Sequence, residues 1–171
     1  MLRLAAVATA MLVAACAPRS FQDLHVPYDA GSGYGYSERR LDERRFAVTY
    51  NAPVQTGFTF TGERGRQASE AELARAYDFA LARAAEIAIA NDYAAFRVED
   101  RRNEAMSQNY EAWSNPTGPP LAQQRIYSMD EAYLAARVTL VVALVPRLEP
   151  GAFDAHATLE TIRGRYAPAA G

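Results

Sequence analysis

The stretch YLAARVTLVVALV, residues 133–145, carries the strongest strand signal in the chain. Its β-branched residues and its length favour a strand over a helix. Leu140 and Val142 would lie on one face and Val141 on the other, so both faces are apolar. A strand of this kind is typical of the centre of a sheet. We therefore expect a central strand that is covered over much of both faces, with Arg137 marking where the cover stops.

Further strands are predicted on the amino-terminal side of this stretch. Residues 45–50 and 94–102 alternate apolar and polar side chains, which indicates two half-buried strands. Phe58 and Phe60 alternate with threonines and predict a short strand or an ordered loop. Residues 103–124 are polar and contain several prolines, so we expect a long loop there.

Two helices are predicted from capping and spacing. Ser69 is the expected N-cap of the longer helix, and Glu72 completes a capping box. We expect this helix to end at Asn91 and Asp92. Its predicted buried face consists of Leu73, Tyr77, Ala80, Ala84, Ile87 and Ala88. Asp154 is the expected cap of a short amphipathic helix near the carboxyl terminus. Its apolar residues are Ala155, Leu159, Ile162 and Tyr166.

The predicted order is strand, helix, strand, long loop, strand, helix. The first three elements resemble a right-handed βαβ crossover. The simplest architecture is a small mixed β-sheet with a long helix and a C-terminal helix packed on one face, which is the α+β class. The chain has 171 residues, which suits one globular domain. We place that domain at residues 36–167.

The amino terminus predicts a destination outside the cytoplasm. Arg3 gives a positive start, and residues 4–15 form an uncharged apolar run. A run of this length is too short to cross a hydrocarbon layer, which needs about 20 residues. Together these features predict a signal peptide over residues 1–15.

The segment VAAC, residues 13–16, resembles the lipobox of bacterial lipoproteins. The resemblance implies cleavage before Cys16 and acylation of its thiol and of the new amino terminus, so that the lipid bilayer is a partner. Ala17 rather than aspartate follows, which implies sorting to the outer membrane and a domain facing the periplasm. Residues 16–35, rich in proline and glycine, predict a lipidated tether with a reach of about 25 Å.

A wider resemblance links the chain, from Cys16 to about Val145, to a family of uncharacterised proteobacterial lipoproteins. The segments that carry it are the lipobox cysteine Cys16, GYSE at 35–38, FxVxY at 46–50, RAAE at 83–86 and YxxFxV at 93–98. The chain departs from the family pattern between residues 51 and 69, where the family's connection is shorter. The resemblance implies an envelope location and an α+β domain, and it transfers no catalytic or ligand residue.

Composition argues against nucleic acid as a partner and against a disulfide within the chain. The formal net charge is −2, and no block of basic residues is present. A weakly acidic domain of this kind is a poor candidate for binding nucleic acid. Cys16 is the one cysteine, so no disulfide can form within the chain.

Candidate catalytic groups are few. His25 lies in the predicted tether, where we expect nothing to orient it. His156 stands near Asp154 and Glu160, but a catalytic zinc usually needs three protein ligands. Lipidated Cys16 is not a nucleophile. We therefore predict no enzyme, no catalytic residue, no metal site and no cofactor.

Tyr110 and Trp113, in the predicted long loop, are the best candidates for contacting an envelope protein or a glycan. The alternative for both is burial against the core. The leading hypothesis is an outer-membrane-anchored periplasmic lipoprotein with a non-catalytic binding or envelope-assembly role. Two alternatives stay open: an envelope hydrolase that uses His156 or a carboxylate pair, and a lipoprotein that binds a small ligand between sheet and helices.

Overall fold

The computed structural model describes residues 20–56, 62–108 and 133–167. Three helices and six strands lie in these ranges. The helices are α1 (Phe21–Leu24), α2 (Gly62–Ala90) and α3 (Ala155–Arg165). The strands are β1 (Gly35–Arg40), β2 (Arg45–Asn51), β3 (Gln55–Thr56), β4 (Ala95–Gln108), β5 (Tyr133–Val145) and β6 (Phe153–Asp154).

The sheet is built around β5, as the sequence predicts. Its strand order is β1-β2-β5-β4-β6, and β3 also pairs with β5. All ladders between these strands are antiparallel, and one parallel bridge joins Pro27 to Tyr36. Both β2 and β4 run antiparallel to β5, so they are parallel to each other. The helix α2 connects them, as in the predicted crossover, and β5 lies between them.

The core lies between one face of the sheet and the helices. Along β5 every second side chain points towards the helices and is buried: Leu134, which packs apart from the main core against Ala68 of α2, and Ala136, Val138, Leu140, Val142 and Leu144. The three buried side chains of β2, Phe46, Val48 and Tyr50, pack beside them. The long helix α2 covers this face and α3 packs on α2, which confirms the α+β class.

The long helix is buried on more sides than its predicted face. Four alanines at intervals of four residues are completely buried: Ala76, Ala80, Ala84 and Ala88. Phe79, which the predicted face does not include, is also completely buried. A helix that is apolar on most sides needs neighbours on most sides. The short helix α1 and the carboxyl-terminal α3 are those neighbours.

The prediction that β5 is covered on both faces is wrong within the described chain. Thr139, Val141 and Ala143 point away from α2 and are half-buried, with no described helix above them. The helices α2 and α3 both lie on the other face of the sheet. We call the face without a described helix the outer face.

The predicted start of α2 is also wrong. The helix begins at Gly62, and the Ser69 hydroxyl donates to the Gly65 carbonyl at 2.9 Å instead of capping a helix end. Glu72 is buried against Gln55, so it does not close a capping box. Ser69 and Glu72 lie inside the long helix, but their spacing in the sequence is the same as that of a capping box at a helix start.

The predicted loop at 103–124 begins too early. Strand β4 continues to Gln108, because the backbone of β5 offers it partners up to Tyr133. Ladder hydrogen bonds need no apolar side chains, and the side chains of residues 101–105 are exposed. The candidate residues Tyr110 and Trp113, and also Phe58 and Phe60, lie outside the described residues.

A pair of neighbouring substitutions tests which face of β5 forms the core. Leu140→Ala should lower the free energy of unfolding by about 2–5 kcal/mol, because it leaves a cavity beneath α2. Val141→Ala on the outer face should cost less than about 1 kcal/mol. Urea unfolding of both variants measures the difference. Equal losses would contradict the one-sided core.

Candidate functional site

The segment that follows Cys16 docks on the domain. Ser20 is the N-cap of α1, accepting from the Asp23 backbone N–H, while the Asp23 carboxylate accepts from the Ser20 N–H at 2.9 Å. A single turn of helix does not form stably without tertiary contacts. Phe21 and Leu24 provide them, since both are buried in the main core. The prediction of a tether over residues 16–35 therefore differs from the structure from Ser20 onward.

Three contacts with the body, one through a backbone carbonyl and two through side chains, hold this turn in place. The Phe21 N–H donates to the Tyr166 carbonyl at 3.0 Å, at the end of α3. The Tyr50 hydroxyl donates to the Leu24 carbonyl at 2.9 Å, inside the core. The Phe21 ring stacks on Phe79 of α2, with the ring centres 5.5 Å apart. We name the whole contact the anchor clasp; it comprises Phe21, Leu24, His25, Tyr50, Glu86 and Tyr166.

The chain beyond the clasp is tied to the edge strand β1. The Tyr36 N–H donates to the Val26 carbonyl at 2.8 Å, and the Tyr28 N–H donates to the Tyr36 carbonyl. Gly35 makes this close approach possible: its φ is +116°, and a Cβ there would lie 2.6 Å from the Val26 carbonyl oxygen. Only glycine fits such a position without strain.

His25 is the buried polar residue of the clasp. Its side chain is 6% exposed, and its Nε2 lies 2.9 Å from Glu86 Oε2. The rings of Phe21 and Tyr36 lie against it at 4.6 and 4.9 Å. The prediction that nothing orients His25 is therefore wrong. Because the ring is enclosed, and Nδ1 is buried without a hydrogen-bond partner in the described chain, His25 ties α1 to α2 and is not open to a substrate.

Glu86 joins the clasp to the rest of the helical layer. Besides His25, it accepts from Arg83 at 2.9 Å and faces Arg163 of α3 at 3.5 Å. Arg83 in turn donates to Glu38 of β1 at 3.1 Å. Burial raises the pKa of the Glu86 carboxyl, but the bonds from His25 and Arg83 outweigh it and hold the pKa below its ordinary value. Glu86 is therefore a carboxylate that links α1, α2 and α3.

The second buried acid, Glu72, does not form a carboxylate pair. Its partners are Gln55 and Arg75. Burial raises the pKa of the Glu72 carboxyl despite the attraction of Arg75. The arrangement joins β3 to α2 through one acid, so it does not offer the two facing carboxyls that the hydrolase alternative requires.

Among the candidate residues that the structure describes, those around His156 do not form a site. His156 is exposed at the start of α3, and Asp154 is engaged as the cap of that helix, accepting from the Ala157 N–H at 2.8 Å. Cys16, Tyr110 and Trp113 lie outside the described residues. Over residues 20–56, 62–108 and 133–167, no group of three His, Cys, Asp or Glu side chains could hold a metal ion.

Tyr50→Phe tests the buried hydroxyl of the clasp. We expect a loss of about 1–3 kcal/mol in unfolding free energy at pH 7, because the Leu24 carbonyl loses its donor. Burial also raises the pKa of the Tyr50 hydroxyl. A raised pKa in the folded state gives stability that is present below the unfolded value of about 10 and is lost as the pH rises above it. The variant should therefore lose less stability than the wild type between neutral and alkaline pH.

Urea unfolding at pH 7 and at alkaline pH measures both effects. Tyr28→Phe is the matched control, because Tyr28 is 45% exposed and its loss should change neither quantity. An equal alkaline fall in wild type and Tyr50→Phe would contradict the assignment.

Comparisons of the chain with protein-family models, with curated proteins and with solved structures find no match. Among the described helices, none combines the length and the apolar character needed to span a bilayer. The resemblance to a lipoprotein family therefore stays a prediction from sequence, and a function has to be inferred from the clasp and from residues 1–16.

Proposed function

We propose that this protein is a lipoprotein of the outer membrane, anchored through acylated Cys16 and facing the periplasm, with a non-catalytic binding or envelope-assembly role. The observation that carries the proposal is the order of features at the amino terminus. An apolar signal, the VAAC motif and the start of the anchor clasp follow one another within twenty residues.

The clasp leaves only a short segment between Cys16 and the folded domain. Ser20 lies four residues after Cys16, and four extended residues span at most about 14 Å. The tether expected from sequence has an r.m.s. reach of about 25 Å and could hold the domain well away from the bilayer. With the clasp closed, the folded body stays next to the lipid surface. A domain held there is suited to partners that are themselves part of the envelope.

The chemistry of anchoring agrees with the motif. Each buried CH₂ contributes about 0.8 kcal/mol, yet one acyl chain holds a protein only marginally. Acylation of both the Cys16 thiol and the new amino terminus supplies the additional chains. The domain itself lacks the polybasic patch that would otherwise hold it on anionic lipid, since its net charge is weakly negative.

A non-catalytic role is supported by the state of the titratable groups. His25 is enclosed and tied to Glu86, and Glu72 is tied to Arg75. His156 is exposed at a helix start where Asp154 serves as the cap. Catalysis by an imidazole needs a neighbouring group that orients it beside an open site. The partner that we propose is a protein or glycan of the envelope, not nucleic acid.

Cys16→Ser tests the anchor. We expect this variant to leave the membrane fraction, while the wild type stays in it after a high-salt wash. Ala17→Ser is the matched control, because it changes the neighbouring residue and keeps the acylated thiol. Membrane fractionation with immunoblotting measures both. Retention of Cys16→Ser in the membrane would contradict the proposal.

Ala17→Asp tests the choice of membrane. The lipobox resemblance implies that aspartate after the cysteine retains a lipoprotein at the inner membrane, so this variant should move to the inner-membrane band of a density gradient. Ala17→Ser should stay in the outer-membrane band. Identical gradients for wild type and Ala17→Asp would show that the protein is not sorted in this way.

A further inference from the structure

We propose that the outer face of the sheet is an interface between two copies of this chain. The inference goes beyond the anchored role proposed above and does not depend on the anchor. It rests on what lies on this face: a floor of short side chains, ion pairs that are closed within the chain at both ends, and two charges on opposite sides that have no ionic partner in the described part of the chain.

The centre of the outer face has low relief. Five half-buried residues of β2 and β5 form it, and we call them the small-residue floor: Ala47, Thr49, Thr139, Val141 and Ala143. The Thr49 and Thr139 hydroxyls bond to each other across the strands at 3.0 Å. A flat surface of short side chains allows a second sheet to approach to about 10 Å, the usual spacing of stacked sheets.

The charges at the two ends of the floor are paired within the chain. At one end Arg45 of β2 reaches over Ala143 to Glu99 of β4, with Nε and Oε2 2.8 Å apart. At the other end Arg137 of β5 donates to Asn51 at 2.7 Å and faces Glu104 at 3.5 Å. Because these charged groups are paired within the chain, little charge remains at either end of the floor to attract a partner.

Two charges beside the floor are different. The register places Arg39, Ala47, Val141 and Asp100 in one row across β1, β2, β5 and β4. Paired residues of antiparallel strands share a face, so Arg39 and Asp100 lie on the outer face. Both are exposed, and neither has an ionic partner within the described chain. Three strand spacings, about 14 Å, separate them, so they cannot pair with each other in one copy.

A two-fold symmetry axis between two copies would give both charges an ionic partner. If two copies stack face to face about an axis that runs along the strands between β2 and β5, β1 of one copy lies over β4 of the other. Arg39 then faces Asp100 of the second copy, and the symmetry repeats the pair. Ala47 lies over Val141, and Thr49 over Thr139. An axis across the strands would place Asp100 over Arg102 but Arg39 over Ser37, so of the two axes only the one along the strands gives both Arg39 and Asp100 an ionic partner.

The size of the face sets the strength of the contact. Four strands and the four rows of the floor cover about 400 Å² on each copy. The total is below the 1,200–2,000 Å² or so of stable interfaces, so we expect a dimer that dissociates on dilution. Such a contact is favoured where copies are concentrated on one membrane. A two-fold axis along the membrane normal places both amino termini at the same height.

A charge exchange tests the interface. The full chain is purified in detergent from membranes, and sedimentation velocity is recorded over a concentration series. The wild type should form a dimer that dissociates on dilution. Arg39→Asp alone and Asp100→Arg alone should each weaken association at least about tenfold, because each places like charges opposite one another twice. The double variant Arg39→Asp/Asp100→Arg should restore the wild-type association.

Glu160→Arg is the matched control. It makes the same change of charge as Asp100→Arg at an exposed position of α3, on the opposite side of the sheet, and should leave association unchanged. Thermal unfolding of each variant verifies that the fold is intact. Three results would overturn the proposal: a wild type that stays monomeric at every concentration, single reversals that associate like the wild type, or a double variant that does not regain the dimer. The second result would mean that the copies associate through another surface.

Discussion

The close contact between α2 and the inner face of β5 is the constraint on which the rest of the fold depends. Ala76, Ala80, Ala84 and Ala88 recur every four residues and are completely buried, so the helix presents a ridge without bulk to the sheet. Small residues let a helix backbone approach its neighbour, and the larger side chains of β5, such as Leu140, fill the space on either side. The high alanine content, which by itself suggests only a compositional bias, thus has a structural use in this helix.

This contact creates a second requirement. A helix that lies so deep exposes apolar side chains on its flanks, and these need cover. Phe79 shows how the cover is arranged: its ring lies against Phe21, Tyr50 and Tyr166, which come from α1, β2 and the end of α3. The amino-terminal turn is therefore part of the core and not an appendage. This docking of Phe21 on Phe79 is what would keep the proposed lipid at Cys16 close to the domain.

The features that could be predicted from sequence are those that one element determines by itself. The apolar alternation of β2, the apolar run of β5 and the Asp154 cap of α3 are local signals, and the structure confirms all three elements. The long helix was predicted too short, since Ser69 bonds back to Gly65 within a helix that polar residues extend. The extent of β4 depends on its partner strand β5, which begins 25 residues after β4 ends.

The clasp was missed for a similar reason. The sequence SFQDLH does contain a cap at Ser20 and apolar residues at Phe21 and Leu24, which is a signal for one helical turn. One turn is too little to be predicted between prolines and glycines. Its stability comes from Tyr50, Phe79 and Glu86, far along the chain.

The two faces of β5 differ in what covers them. An outward face exposed to water normally carries polar side chains. This one carries Val141, Ala143 and Val145, the apolar residues from which cover on both faces is predicted. The described chain covers one face, and a second copy stacked on the small-residue floor would supply the cover that this pattern requires of the other.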